Sequence, residues 1–195
     1  MQEVNISLFQ FFNAFSSFPF IAKISPFLAD FPIFFLPIFL VWAWIYLTYC
    51  VQKPEQRESL MFIFYSCVIA IIISLIIQQF VDIDRPETAI VWAWKLLLEH
   101  IPDASFPSDH ASVASAFLMG LWFTGYKKIF YWFMPWLILM LLSRIIVGVH
   151  WPFDIIVGIC VWSLWAYISC FWLTRIKFVK KLNSFIIHLL SYIKL

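Results

Sequence analysis

Residues 60–80 read LMFIFYSCVIAIIISLIIQQF, and not one of them is Asp, Glu, Lys or Arg. Roughly 20 apolar residues wound as an α-helix cover the ~30 Å hydrocarbon core of a bilayer, so this stretch predicts a membrane-spanning helix. The same test applied outward along the chain finds spans at residues 27–51, 111–126, 129–149 and 153–174. The third span in chain order is short. Its small residues Ala111, Ser112, Ala114, Ser115 and Ala116 suit a helix packed among neighbours more than one facing lipid. Residues 6–21 are rich in Phe but hold Asn13, Ser16, Ser17 and Pro19, and are too short to cross comfortably. They predict a helix lying in the membrane interface, with a sixth, half-crossing span as the alternative. Beyond the last span, Phe178, Leu182, Phe185, Ile186, Leu189 and Ile193 recur at helical spacing beside Lys180, Lys181 and Lys194, which predicts an amphipathic surface helix over residues 178–195.

Composition points the same way. Of 195 residues, 64% are hydrophobic and 12% charged, whereas a soluble domain carries about 25% charged residues. The expected fold is an all-α polytopic membrane helix bundle of five spans, or six if the N-terminal segment crosses. A single domain fills residues 1–195, with its polar core within residues 78–158. A net charge of +2 without a long basic run argues against a nucleic-acid partner. Cys50, Cys67, Cys160 and Cys170 lie in apolar runs with no CxxC pair and no His at metal-ligand spacing, so buried free thiols and no metal are expected. No Lys or Arg precedes Lys23, so the basic region of a secretory signal is missing and the first segment is expected to stay on the mature chain.

Charge placement orients the bundle. With five spans, Lys53 and Arg57, Lys127 and Lys128, and Arg175, Lys177, Lys180, Lys181 and Lys194 share one side, nine of the thirteen basic residues. By the positive-inside rule that side, with the C-terminus, is cytoplasmic. The opposite side receives the loop of residues 81–110, which holds Asp82, Asp84, Glu87, Glu99, Asp103 and Asp109, six of the eleven acids. Trp92, Trp94 and Trp151 suit an interfacial belt there. A connection of that length is usually functional.

Three polar clusters interrupt the apolar sequence, and the topology places all three on the outer face: Asp84-Arg85-Pro86, Phe106-Pro107-Ser108-Asp109-His110, and Ser143-Arg144 followed by His150 and Asp154. Arg85 and Arg144 offer forked donors that match phosphate oxygens, and Ser108 at a helix N-terminus adds a hydroxyl and backbone N–H groups. One of His110 and His150 can attack phosphorus while the other protonates the leaving oxygen. Asp154, four residues after His150, lies within reach of one imidazole nitrogen and would fix its tautomer. Phosphoryl transfer through a histidine needs no metal and no other cofactor. Taken singly, each residue has a plainer role open to it. Arg144 suits snorkelling to headgroups, Arg85 suits pairing with Asp82 or Asp84, and Ser108 and Asp109 suit helix capping. His110 and His150 suit a helix start and an interfacial tip; Lys95, Glu99 and His100 suit solvated loop, and His188 suits the surface helix.

Together the clusters resemble the type 2 phosphatidic acid phosphatase superfamily, whose motifs read KxxxxxxRP, PSGH and SRxxxxxHxxxD. The third motif is complete in Ser143, Arg144, His150 and Asp154, and the second stands as Pro107-Ser108-Asp109-His110. The first keeps Arg85-Pro86 but has Gln78 in the place of Lys, leaving Gln78 or Gln79 as a neutral substitute donor. The wording DASFPSDHAS and SRIIVGVHWPFDIIVG is similar to the bacitracin-resistance-type undecaprenyl diphosphate phosphatases. That resemblance implies an enzyme hydrolysing undecaprenyl diphosphate to the monophosphate at the outer face of the bacterial inner membrane, so recycling the lipid carrier of cell-wall synthesis. It implies His150 as nucleophile oriented by Asp154, His110 as proton donor, and Arg85, Ser108 and Arg144 as phosphate ligands. The expected partners are the isoprenoid diphosphate substrate and membrane lipids, with no obligate protein partner evident. Phosphatases of phosphatidylglycerophosphate, phosphatidic acid or lipid A would use the same motifs. A non-catalytic lipid-phosphate-binding protein or transporter is the reading from another class.

Overall fold

The structure, a computed structural model, describes residues 2–81, 83–86, 95–98, 104–172 and 175–192. Asp82, Glu87, Trp92, Trp94, Glu99, His100, Asp103, Ile193 and Lys194, on which parts of the topology and surface-helix readings rested, lie outside the described residues. Among those described, seven α-helices and no strand occur. They are α1 (Gln2–Asn13), α2 (Pro19–Tyr46), α3 (Pro54–Gln78), α4 (Asp109–Phe123), α5 (Lys127–Ile146), α6 (Pro152–Trp172) and α7 (Lys177–Tyr192). A 3-10 turn, Ala14–Ser17, follows α1, and a π-helical turn, Leu47–Val51, extends α2.

Helices α2, α3, α5 and α6 are long and apolar enough to cross a membrane. Their outward side chains, such as Phe34, Phe64, Trp132 and Leu164, are exposed to what would be lipid. The chain is thus a multi-pass membrane bundle. The third expected span is, as its small residues indicated, short and enclosed. Helix α4 has 15 residues and, at 1.5 Å per residue, rises about 22 Å, short of a ~30 Å hydrocarbon core. Ala111, Ala114, Ala116, Phe117 and Leu121 are buried along it, and it packs most closely on α6 and α3. Small residues make this approach possible: a Cβ added at Gly158 of α6 would stand 2.9 Å from that of Ala111, and one at Gly120 of α4 would stand 3.2 Å from Ile63 of α3. The rings of Phe39, Phe117 and Phe133 lock α2, α4 and α5 together at centroid distances of 4.9 to 6.0 Å, all edge-on.

Two ends of the chain depart from expectation. Helix α2 begins at Pro19 rather than at residue 27 and runs through Pro26, Pro32 and Pro37; in a membrane-spanning segment, where no water competes for the backbone, the residue that stops a soluble helix is tolerated inside one. The expected interfacial helix is instead split, with residues 19–21 absorbed into α2 and α1 packed down on the bundle. Phe9 is buried against Trp151, and the Asn13 amide donates to the carbonyls of Lys95 (3.0 Å) and Ile146 (2.8 Å) while accepting from Lys95 N–H (3.1 Å). Asn5 accepts from Phe153 N–H at 3.1 Å. Helix α1 therefore covers one end of the bundle. At the far end of the sequence, α7 is fastened to α3 by Tyr65 O–H donating to Asn183 at 2.9 Å. None of the four cysteines forms a disulfide; Cys67 and Cys170 are buried, but Cys50 and Cys160, expected to be buried, are exposed.

Alternating helix directions bring the C-terminal ends of α3 and α5 and the N-terminal ends of α4 and α6 to the end that α1 covers. Lys53, Arg57, Lys127, Lys128 and Arg175 belong to the opposite end. Between α5 and α6, Gly148 adopts φ 96°, a conformation costly for any residue with a Cβ, and there the chain doubles back on itself. That reversal sets the last turn of α5 against the first turn of α6.

Candidate active site

Arg144 is almost wholly buried in the last turn of α5, and His150 is buried two residues beyond Gly148. The reversal places Arg144 Nη2 3.3 Å from His150 Nε2, and Arg85 Nη1 approaches the same nitrogen to 3.5 Å. Arg85 also donates to the Val149 carbonyl at 2.8 Å, which holds its guanidinium against the segment that carries His150. The other imidazole nitrogen, His150 Nδ1, lies 3.1 Å from the Ser105 carbonyl and 3.8 Å from Asp154 Oδ2. With its proton on Nδ1 and accepted by that carbonyl, His150 presents a lone pair at Nε2 toward two guanidinium groups. Asp154 therefore acts on His150 less directly than the motif spacing suggested. Its Oδ2 accepts a short bond from the Ser105 hydroxyl and one of 3.1 Å from Trp151 N–H, holding the segment whose carbonyl holds the histidine.

Hydrogen bonds to two backbone carbonyls stitch these segments into one floor. Ser105 N–H donates to the Ile83 carbonyl at 2.8 Å, and the Trp151 indole N–H donates to the Asp84 carbonyl at 2.8 Å. On the opposite wall, His110 in the first turn of α4 puts Nε2 3.3 Å from Arg144 Nη1. The two histidines thus direct their Nε2 atoms at the two arms of one guanidinium. Ser108 occupies the N-cap position of α4, yet its side chain makes no capping bond. Its hydroxyl is buried and, like Arg144 Nε, lacks a hydrogen-bond partner. A buried polar atom left without a partner costs about 1–3 kcal/mol, a cost that a phosphate oxygen at this helix N-terminus would offset.

Asp109 and Gln78 belong to a separate network. Asp109 Oδ1 accepts from Ser74 Oγ at 2.5 Å and from Gln78 Nε2 at 3.0 Å, and Gln78 Nε2 also donates to the Pro107 carbonyl at 3.2 Å. Both amide hydrogens of Gln78 are engaged in tying α3 to the start of α4. The phosphate contact expected of Gln78 is therefore not available from this arrangement, and Gln79 is exposed at the end of α3. Ser143 is buried in the turn of α5 that carries Arg144.

Two residues of the cluster escaped the sequence reading. Ser105 precedes the second polar cluster with nothing in its spacing to mark it. Asp30 of α2 pairs with Arg144 Nη1 and stands 3.3 Å from His110 Nε2. It did carry a signal, since an ionisable side chain inside an apolar span is a functional candidate by default.

Comparison with known proteins places this arrangement. Residues 59–178 match the sequence model of the PAP2 superfamily. YbjG of Escherichia coli strain K12, provisionally named an undecaprenyl-diphosphatase, is 28% identical over 166 residues, 82% of this chain and 77% of that protein. The bacitracin transport permease protein BcrC of Bacillus licheniformis is 28% identical over 186 residues, 93% of this chain and 87% of that one. The crystal structure of Aquifex aeolicus LpxE superposes with a TM-score of 0.68 at 20% identity, covering 85% of this chain and 94% of that one, a likeness of fold.

Proposed function

Since the chain belongs to the PAP2 superfamily and is a multi-pass membrane bundle, we propose that it is a lipid phosphatase that hydrolyses undecaprenyl diphosphate to undecaprenyl phosphate and inorganic phosphate. In this reading His150 Nε2 attacks the terminal phosphorus, the bond to the bridging oxygen breaks, and His110 delivers a proton to the departing lipid phosphate. Water then gives its proton to His110 and attacks the phosphohistidine; the P–N bond breaks and phosphate leaves. Arg85, Arg144 and Ser108 hold the phosphoryl oxygens, where fixed donors stabilise the developing charge. Asp154 and Ser105 hold His150 in its reactive tautomer.

The observation that carries the reading is the environment of His150 Nε2: a buried nucleophile with its other nitrogen tied at 3.1 Å to a carbonyl, facing two guanidinium groups, with the unpartnered Ser108 hydroxyl buried at the neighbouring helix start. A lipid rather than soluble substrate is supported by an apolar groove of about 500 Å³ between α2 and α5, lined by Phe27, Phe31, Phe35, Trp42, Trp132 and Trp136. The flat double bonds of a prenyl tail suit such aromatic walls. The charge asymmetry of the two bundle ends supports an outward-facing site and a cytoplasmic C-terminus. Two relatives whose names include undecaprenyl-diphosphatase, from Escherichia coli and Sulfolobus acidocaldarius, support the substrate.

Detergent-purified protein, assayed in EDTA, is expected to release phosphate from undecaprenyl diphosphate in preference to phosphatidylglycerophosphate and phosphatidic acid. Preference for either phospholipid would overturn the carrier-recycling role. The name of BcrC, a bacitracin transport permease protein, favours a second reading, transport of a lipid phosphate, which predicts binding of all three without release. Within the first reading, Asp154→Asn should lower kcat by about 100-fold and Ser105→Ala by about tenfold, with KM little changed, because both residues act by orienting the nucleophile rather than by touching the substrate. Steady-state kinetics of the two variants check this; a rise in KM at constant kcat would contradict it.

A further inference from the structure

Asp30 lies in none of the three polar clusters, yet it touches two of the groups assigned to the phosphate. One carboxylate oxygen, Oδ1, pairs with Arg144 Nη1 and lies 3.3 Å from His110 Nε2. Those are the atoms the reaction uses: a donor to a phosphoryl oxygen and the donor of the proton to the leaving oxygen. An oxygen bonded to both stands where an oxygen of the substrate has to be, so the carboxylate and the phosphate exclude one another. The pair is also lopsided in depth, with the Arg144 side chain 1% exposed and that of Asp30 40% exposed. Arg144 is fixed in the protein, and Asp30 approaches from the outside and has somewhere to go. A buried guanidinium needs a counter-ion whenever no phosphate is bound.

We propose that Asp30 is a built-in competitor for the phosphate site: its carboxylate is the resident counter-ion of Arg144 and His110, and a ligand binds by displacing it. Displacement lowers the affinity of every phosphate ligand by the fraction of time the carboxylate holds the site, and the return of Asp30 after cleavage expels inorganic phosphate. The proposal rests on the diphosphatase reading for its substrate and on the site geometry alone for the displacement.

Inorganic phosphate is the probe, titrated calorimetrically into the detergent-purified full chain. Asp30→Asn and Asp30→Ser are expected to bind it about tenfold tighter than the unsubstituted protein, the change that follows if the carboxylate holds the site about nine-tenths of the time. Equal or weaker binding by a variant that stays monodisperse overturns the displacement. On the unsubstituted protein, carbodiimide labelling of Asp30, read by mass spectrometry, should rise when phosphate saturates the site; labelling left unchanged or lowered overturns the proposal without any variant having to fold. In turnover, Asp30→Asn should lower KM for undecaprenyl diphosphate and for phosphatidic acid by a similar factor, and KM values left unchanged or raised overturn the displacement. Neither binding readout requires catalysis. Phosphate displacing Asp30 in a protein that hydrolyses no lipid would therefore sink the diphosphatase reading and leave the role of Asp30 standing.

Discussion

His150→Ala is expected to lower phosphate release by about 10⁴-fold or more, because it removes the atom that forms the bond to phosphorus and the remaining donors only bind. Binding itself should survive. Arg85, Arg144 and Ser108 are positioned by α4, α5 and the stitched loops rather than by the imidazole, and Arg85 keeps its 2.8 Å bond to the Val149 carbonyl. Rapid quenching of the unsubstituted protein with ³²P-labelled diphosphate should trap a phosphoenzyme that is labile in acid and stable in base, as a phosphoramidate is. The His150→Ala variant should trap none. An acid-stable phosphoenzyme, or a label that persists in the variant, would assign the nucleophile elsewhere.

Arg144→Ala is the second large effect expected, a fall of about 10³-fold in kcat/KM, since one guanidinium serves both histidines and the phosphoryl oxygens. Its Nη1 reaches His110 and its Nη2 reaches His150, each at 3.3 Å. A lysine restores the charge but presents one point donor in place of a fork, so Arg144→Lys should remain about 100-fold impaired. The fold should tolerate the loss: Asp30 is 40% exposed and can turn its freed carboxylate to water. Kinetics of both variants, together with gel filtration and melting of the purified proteins, separate loss of catalysis from loss of structure. A lysine variant within a few-fold of the unsubstituted protein would show that charge alone suffices and that the forked geometry is incidental.

Much of the architecture was legible before any coordinates, because a bilayer makes hydropathy nearly decisive: a run such as residues 60–80 has no alternative to a buried helix. What misled was local. Helix α2 starts eight residues before the expected span and carries Pro26 inside it, a residue that ends helices in water but is tolerated in a membrane-spanning one. The enclosed character of the short α4, by contrast, was legible in its small residues Ala111, Ser112, Ala114, Ser115 and Ala116. The clustering of Arg85, Ser108, His110, Arg144, His150 and Asp154 was readable from topology and motif spacing, since those side chains had to converge on one end of the bundle. Spacing could not reveal that the Ser105 carbonyl, at 3.1 Å, comes closer to His150 than the carboxylate of Asp154 at 3.8 Å. Backbone acceptors carry no sequence signature. Nor could the substitution of Gln for Lys in the first motif be interpreted without seeing Gln78 and Asp109 bonded to each other, two departures from the family pattern that meet in space.

Pro26, Pro32 and Pro37 also bear on how α2 behaves under load. Each lacks an amide hydrogen, so the carbonyls of Ala22, Leu28 and Ile33 lose their intrahelical donors. Three missing rungs within a few turns make this part of the helix elastically soft, able to flex where a regular helix would have to move as a rod. Asp30 is carried between the first two of them. A ligand arriving at Arg144 therefore works against a spring, and the stiffness of that spring is a quantity that sequence can tune without altering a single group that touches phosphate.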